Sequence, residues 1–200
     1  LKELNPDFSI TIVERLSKVA GESTSGWNNA GTGHAAYCEL NYTAEQSDGS
    51  IEIAKALKIN RAFETTLQFW AYLIGEGLLP SPENFINQTP HIGFVWGEDN
   101  VKFLKKRYDA MTNYAQFADM EYSEDPAVLA EWMPLIMEGR DPAEKVAATR
   151  VPYGADVDFG SVTEYMIDAL EKQDGFRLIL DTDVVELKRP DMDFWRRKSG

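Results

Sequence analysis

Apolar residues recur at helical spacing in three stretches of the chain. The spacing predicts a long amphipathic helix from Ile51, ended by Gly75 and Gly77, because glycine commonly follows the last helical turn. A second helix is predicted after Gly97, and a third after a capping box at residues 161–164, with Gly175 closing it. The residues on which these patterns depend are, in order, Phe63, Leu67, Trp70 and Ile74; Val101, Leu104, Tyr108 and Met111; and Val162, Tyr165, Met166, Ala169 and Leu170.

The second helix also carries a run of cations, which we expect mostly on its solvent side: Lys102, Lys105, Lys106 and Arg107. A short helix through Trp132 is predicted from Asp125-Pro126, an N-cap followed by proline at the first helical position, and Pro134 should end it.

A run rich in β-branched residues predicts a strand at residues 9–13. Further strands are predicted at residues 91–96 and 146–151, with a short one at 117–122. Residues 176–180 alternate as a strand, a further strand starts at Val184, and residues 154–160 read as a turn-rich connector. This order predicts an α/β fold in which the two ends of the chain form one nucleotide-binding layer. We expect the layer to comprise residues 1–50 and 151–200, with residues 51–150 as an inserted α+β substrate-side region.

The amino-acid composition excludes several classes of protein and of partner. Hydrophobic residues make up 44% of the 200 residues, enough for a folded core. The net charge of −13 repels phosphates, so nucleic acid and anionic lipid are poor candidates for direct partners. Cys38 is the single cysteine, which excludes an internal disulfide and favours a packing role. No stretch is long and apolar enough to span a membrane, and no ligand pattern predicts a metal site.

The most distinctive stretch is residues 23–34, which holds three glycines, two asparagines and a histidine without any charged side chain. Glycine allows a close approach of the backbone, and successive amides can then converge on an anion or a flat ring. A bare surface connector is the alternative. Because Trp27, Ala30 and Ala35 interrupt the polar run, we favour a loop that faces a ligand.

Glu14 follows the first predicted strand. An acid at the carboxyl end of the second strand of a βαβ unit binds a ribose hydroxyl in dinucleotide-binding folds, although most acids at strand ends are only solvated. The matching glycine-rich phosphate loop would lie about 20 residues upstream, before residue 1. The chain also begins with Leu1 rather than methionine. We therefore expect it to be an incomplete piece of a longer protein.

At this point several motifs resemble the N-terminal part of malate:quinone oxidoreductases. The resemblance covers residues 1 to about 189, and its most specific element is Asn28-Asn-Ala-Gly-Thr-Gly-His34. The supporting motifs are Glu14-Arg-Leu16, Glu22-Ser23, Gly26-Trp27, Glu39-Leu-Asn-Tyr-Thr43, Phe85-Ile-Asn87, Pro90-His91, Phe94-Val-Trp-Gly-Glu-Asp-Asn100, Met137-Glu-Gly-Arg-Asp-Pro142 and Val146-Ala-Ala-Thr-Arg150.

The resemblance implies a flavoprotein with a glutathione-reductase-like FAD-binding fold. Such an enzyme oxidises (S)-malate to oxaloacetate, passes electrons through FAD to a membrane quinone without nicotinamide, and sits peripherally on the cytoplasmic face of the membrane. Glu14 would bind the adenosine ribose, and the backbone at Val184 would meet the adenine. The pyrophosphate and flavin ring would be lined by Asn28, Asn29, Ala30, Gly31, Thr32, Gly33 and His34.

Malate oxidation also needs a proton acceptor and cations for two carboxylates. His34 is our candidate for contact with flavin or substrate, because an unperturbed imidazole titrates near neutral pH; a structural loop histidine is the alternative. His91, Arg140 and Arg150 are candidates for the substrate pocket. The alternatives are that His91 is only a histidine at a strand edge and that the two arginines only form surface ion pairs. The base itself could also lie outside this chain.

Two departures from the family pattern qualify these expectations. The upstream phosphate loop is missing, and residues 193–198 lack the apolar alternation expected of a continuing β-meander. We therefore expect the chain alone to bind FAD weakly or not at all and to be inactive. The competing functions are another FAD-dependent oxidoreductase, acting on a 2-hydroxyacid or a glycerol phosphate, and a flavin-free domain that serves as an interaction surface.

Overall fold

A computed structural model describes residues 1–187 as a mixed α/β arrangement with three small sheets. Its strands are β1 (Ile10–Val13), β2 (Ile86–Gln88), β3 (His91–Trp96), β4 (Glu121–Ser123), β5 (Val146–Val151), β6 (Ala155–Val157) and β7 (Phe176–Ile179). Its α-helices are α1 (Ala54–Gly75), α2 (Glu98–Met111), α3 (Pro126–Trp132), α4 (Pro134–Met137) and α5 (Phe159–Glu171). Short 3₁₀ helices span Leu40–Tyr42, Pro82–Asn84 and Ala115–Phe117.

The two ends of the described chain meet in a parallel pair of strands. Ile10 of β1 lies opposite Phe176 of β7, and the register continues to Val13 opposite Ile179. The mixed α/β class is confirmed, while the division into residues 1–50, 51–150 and 151–200 stays a prediction. The carboxyl ends of both strands lie side by side, which is the edge where open parallel sheets bind ligands.

The three-stranded antiparallel sheet has the order β3-β5-β4 and two differently covered faces. Since side chains alternate along a strand, one face carries Val95 and Ala147, which pack with Leu104 of α2. The opposite face carries Phe94 and Ala148, which pack against the segment formed by α3 and α4. This sheet therefore separates two cores.

A further core lies between α1, α5 and the β2–β6 pair. Trp70 of α1 meets Phe85 edge to face, with ring centroids 5.6 Å apart, and Val157 of β6 and Val162 of α5 complete the buried cluster. Aromatic contacts of this kind add to the stabilisation that comes from the buried area. The apolar side of α1 predicted from its spacing is thus confirmed as core.

Local sequence explains the boundaries of several helices. Asp125 caps α3, because its side chain accepts a hydrogen bond from the amide of Ala127 at 2.9 Å. Pro134 follows the last residues of this helix, as predicted. At the end of α1, Gly77 adopts φ +71°, the left-handed conformation that glycine reaches without a steric penalty. The helix itself begins at Ala54 rather than at Ile51.

Four other expectations were wrong. Helix α5 begins at Phe159, where the Asp158 carboxylate accepts the amide of Ser161 at 3.0 Å, so residues 161–164 are not its capping box. The predicted connector 154–160 contains β6, because long-range pairing with β2 overrides its turn-like composition. The strand expected at 117–122 is confined to β4, and residues 182–187, including Val184, form no strand. The prediction about residues 193–198 lies outside the described residues.

Candidate functional site

Glu14 lies at the carboxyl edge of the parallel pair. Its amide donates to the carbonyl of Ile179 at 2.8 Å, and its own carbonyl accepts from Thr182 at 3.1 Å, so the backbone there is held between β1 and β7. One carboxylate oxygen accepts the amide of Leu16 at 2.8 Å. Glu14 is half-buried, so its carboxylate combines a fixed orientation with access to a polar ligand.

The glycine-rich loop starts beside this carboxylate. Arg15 forms an ion pair with Glu22 at 3.2 Å, which places the beginning of the loop at the end of β1. The amides of Asn28 and Asn29 both donate to the carbonyl of Ser25, and both side chains donate to carbonyls earlier in the loop. This part of the loop is therefore folded on itself, while the side chain of Trp27 is 97% exposed.

The second part of the loop runs alongside β6. Gly33 donates to the carbonyl of Ala155 at 2.8 Å, and Gly31 accepts from the amide of Val157 at 2.6 Å. Gly31 has φ +73°, and a Cβ there would lie 2.3 Å from a carboxylate oxygen of Asp156. Both glycines therefore allow the loop to pack closely against β6, and their contact with a cofactor stays a prediction.

This pairing leaves one edge of the loop available. Thr32 lies opposite Asp156 of β6 in a bridge whose hydrogen bonds are made by Gly31 and Gly33, so the amide of Thr32 points away from β6. The amides of Ala30, Thr32 and His34 donate no hydrogen bond recorded among residues 1–187, while those of Gly31 and Gly33 are occupied. The outward edge therefore presents backbone donors of the kind that bind phosphate or ring oxygens.

His34 closes the loop and lies beside an acid that sequence reasoning missed. Its Nδ1 is 3.3 Å from Oε1 of Glu39. The histidine side chain is 56% exposed, whereas that of Glu39 is 17% exposed. Neither carboxylate oxygen of Glu39 has a hydrogen-bond partner of good geometry in the described part of the chain. Glu39 lies in the family motif at residues 39–43, but its spacing of five residues from His34 predicts no contact.

Arg107 is the second residue that was missed, because it is fully buried rather than on the solvent side of α2. Its guanidinium donates to Thr43 Oγ1 at 2.9 Å and to the carbonyls of Ala36 and Tyr37 at 3.3 and 3.1 Å. Helical spacing could have revealed this position. Arg107 follows Leu104 by three residues and precedes Met111 by four, so the three side chains share one face.

Burial sets the protonation of this region. Desolvation lowers the pKa of Arg107 to about 10, although the nearby Glu39 charge opposes the shift, and the guanidinium stays charged at neutral pH. Burial, followed by the nearby Glu39 charge, raises the pKa of Cys38 to about 12. Cys38 therefore remains a thiol, which agrees with a packing role.

His91 lies beneath the loop and is buried. Its Nε2 is 3.0 Å from the carbonyl oxygen of Ala155, the same carbonyl to which Gly33 donates. Its ring packs edge to face with Tyr37 at 6.0 Å. Its Nδ1 is buried without a hydrogen-bond partner among the described residues. In this structure His91 supports β6 and the loop.

Arg140 and Arg150 lie on the other face of the three-stranded sheet. Arg150 pairs with Glu121 at 2.9 Å, and its guanidinium lies 5.6 Å from the ring centre of Trp132. Arg140 pairs with Glu144 and lies 4.7 Å from the ring centre of Phe94. The structure therefore does not bring these two arginines together with His34 and His91.

The remaining candidates are more isolated. The side chain of Val184 is exposed, and it belongs to no strand. An apolar groove of about 220 Å³, with Phe69, Leu79 and Met166 among its lining residues, lies between α1 and α5, away from residues 28–34. Residues 1–187 contain no cluster of three potential metal ligands, and none of their helices is long and apolar enough to cross a membrane.

An acid-ended parallel strand beside a glycine-rich loop is the arrangement found in nucleotide-binding α/β proteins. The family model for malate:quinone oxidoreductase matches residues 1–199. A relative in Methylobacillus flagellatus, named "Probable malate:quinone oxidoreductase", is 59% identical over 189 residues, covering 94% of this chain and 38% of the relative. A protein of the same name in Hahella chejuensis is 56% identical over 195 residues, covering 98% and 39%. The chain belongs to the malate:quinone oxidoreductase family.

The relatives are much longer than this chain. The chain spans well under half the length of the curated relatives it matches. Among solved structures, the L-proline dehydrogenase of P. horikoshii is similar with a TM-score of 0.46 and 18% identity, covering 87% of this chain and 38% of that one. A similarity of that size adds nothing to the family assignment.

Proposed function

We propose that the chain forms part of an FAD-dependent enzyme that oxidises (S)-malate to oxaloacetate and delivers the electrons to a membrane quinone. The observation that carries the proposal is the family match over residues 1–199, together with relatives 51–59% identical that bear this name. The activity places such an enzyme in the tricarboxylic acid cycle. We further propose a glutathione-reductase-like FAD fold and a peripheral position on the cytoplasmic face of the membrane, where a lipid-soluble quinone is reachable.

The residues at the edge of β1 suit the nucleotide half of FAD. Glu14 is oriented by the amide of Leu16, which leaves its second oxygen to accept a ribose hydroxyl. The outward amides of Ala30, Thr32 and His34 would face the pyrophosphate or flavin ring, with the side chains of Asn28 and Asn29 holding the loop in shape. Val184, which follows the edge of β7, remains our prediction for an adenine contact.

The proposed chemistry divides between the cofactor and the chain. When bound, FAD would supply the hydride acceptor for C2 of malate and the electron carrier to the quinone. His34, more than half exposed at the end of the loop, would accept the C2 hydroxyl proton. His91, Arg140 and Arg150, and the substrate-side role of residues 51–150, stay predictions. The ion pairs of both arginines would have to open before either could bind a malate carboxylate.

A chimeric enzyme tests this proposal. The 189 residues of the Methylobacillus flagellatus relative that match would be replaced by the corresponding residues of this chain. We expect a yellow protein with bound FAD that reduces a soluble quinone analogue with malate. Glu14→Ala should weaken retention of FAD, while Glu131→Ala, at an exposed acid on α3, serves as the matched control.

The alternatives give different results in the same assay. Turnover of glycerol 3-phosphate or of another 2-hydroxyacid in place of malate would indicate a different flavin-dependent oxidoreductase. A folded but colourless chimera would support a flavin-free interaction domain. Either result would contradict the proposed function.

A further inference from the structure

We propose that Glu39 is a positioning residue that holds His34 in the tautomer with its proton on Nδ1, so that Nε2 remains an outward proton acceptor. This role deepens the proposed function and rests on it for its catalytic use. The geometry that supports it involves only residues of this chain.

The backbone between the two side chains is firmly held. Ala35, Ala36 and Tyr37 are buried, and Ala36 adopts φ +62°, a conformation that costs an alanine free energy and that the surrounding structure must enforce. Arg107 binds the carbonyls of Ala36 and Tyr37. His34 and Glu39 are therefore presented to each other by a fixed bend rather than by a mobile loop.

A buried cation lies near the Glu39 side chain. The fully buried guanidinium of Arg107 lies near enough for its charge to interact with that of Glu39. Both oxygens of Glu39 lack a hydrogen-bond partner of good geometry among the described residues, although Oε1 is 3.3 Å from Nδ1 of His34. The 3.3 Å separation lies just beyond the usual range of an N–H···O bond, so a modest reorientation of the ring brings Nδ1–H into position to donate.

The two histidines of the chain are held in different ways. His91 has its Nε2 at the carbonyl of Ala155 and its Nδ1 buried, so neither nitrogen can reach a substrate. His34 meets a carboxylate at Nδ1 and has 56% of its side chain exposed. Only His34 therefore has the arrangement in which one ring nitrogen is oriented and the other is accessible.

The chemistry of imidazole completes the inference. Neutral imidazole carries one N–H donor and one lone pair, and a carboxylate at Nδ1 selects the tautomer with the lone pair on Nε2. In the oxidation of the hydroxyacid, the O–H bond breaks and the proton moves to Nε2, while the C2–H bond delivers its electron pair to FAD as hydride. The resulting imidazolium is then stabilised by the Glu39 charge.

Nitrogen NMR of the chain labelled with ¹⁵N tests the tautomer directly. The chain has two histidines, so a His34→Gln variant assigns both rings. At about pH 9, where an ordinary imidazole is neutral, we expect the Nδ1–H form for His34 in the unsubstituted chain, because the Glu39 carboxylate can only accept. Glu39→Met removes the acceptor and should shift His34 toward the Nε2–H form. His91 should be unchanged and reports that the fold is intact.

A tautomer of His34 that is the same in the unsubstituted chain and in Glu39→Met would overturn the positioning role. Glu45→Met is the matched control, because Glu45 is an exposed acid paired with Lys106 and should leave His34 unaltered. Should Glu39→Met fail to fold, the spectrum of the unsubstituted chain still decides, since it must show the Nδ1–H form.

The chimeric enzyme tests the catalytic consequence. We expect Glu39→Met to lower kcat for malate by about 10²-fold, with FAD content and KM nearly unchanged and with partial recovery in Glu39→Gln. An unchanged kcat in Glu39→Met would contradict the role in proton transfer. If the chimera binds no FAD, the proposed function fails, while the NMR result on His34 is unaffected.

Discussion

The two faces of the β3-β5-β4 sheet hold arginines under opposite conditions. On the side of α2, Arg107 is fully buried and bonds to a hydroxyl and two backbone carbonyls. On the side of α3 and α4, Arg150 forms an ion pair with Glu121 and lies over Trp132, with part of its side chain in water. The comparison teaches that a cation joins distant backbone segments only where water cannot compete for its donors.

Replacement of Arg107 should have the largest effect. Arg107→Met leaves the Glu39 charge without its buried partner and three oxygens without their donor, so we expect a loss of about 3–5 kcal/mol in the free energy of unfolding. Urea denaturation measures it. Lys106→Met, on the exposed side of the same helix, should cost below about 1 kcal/mol. Equal effects of the two substitutions would mean that burial of Arg107 contributes nothing.

The packing of the glycine-rich loop, residues 23–34, can be tested through its glycines. Gly31→Ala forces alanine to φ +73° and places its Cβ 2.3 Å from the Asp156 carboxylate, so we expect a loss of about 2–3 kcal/mol. Gly26→Ala, where no atom lies within 4 Å of the added carbon, should change stability by less than about 1 kcal/mol. Similar thermal shifts for both variants would show that the loop does not pack on β6.

Substitution of Asp158 tests how much an exposed carboxylate stabilises the protein by accepting a hydrogen bond from a backbone amide. Asp158→Ala removes the cap of α5 and should cost about 1 kcal/mol, with Asp158→Asn retaining most of it. Hydrogen bonds from Ser161 lower the pKa of this carboxyl below its ordinary value of 3.8. The stabilisation that the Asp158 carboxylate provides is therefore complete above its ordinary pKa. It is lost as the pH falls through the lower folded-state pKa. Acid unfolding that is identical in Asp158→Asn would contradict this dependence.

Arg150 should show the smallest effect. Arg150→Met breaks an ion pair with a partly exposed partner and a contact with Trp132, and we expect a loss below about 1 kcal/mol. Urea denaturation next to Arg107→Met gives the contrast between the two faces. A loss as large as that of Arg107→Met would remove the distinction on which the comparison depends.

Much of the local structure could be predicted from periodicity and capping residues. The strands at 91–96 and 146–151 and the helix through Trp132 follow the sequence pattern closely, because their signals are short-range. The nature of β6 could not be predicted, since its turn-like residues become a strand only by pairing with β2 and with the loop at Gly31 and Gly33. The cation run on α2 was misjudged at Arg107 because charge was given more weight than helical position.

The sequence by itself determined the periodic helices, the principal strands and the family to which the chain belongs. Only the tertiary structure decided that Glu39 lies at His34, that Arg107 is buried, and that Arg140 and Arg150 lie on the opposite face of the sheet from His91. The physical reason is that periodicity and capping act within one or two turns of chain. Burial and pairing of polar groups instead depend on which distant segments the packed core brings together.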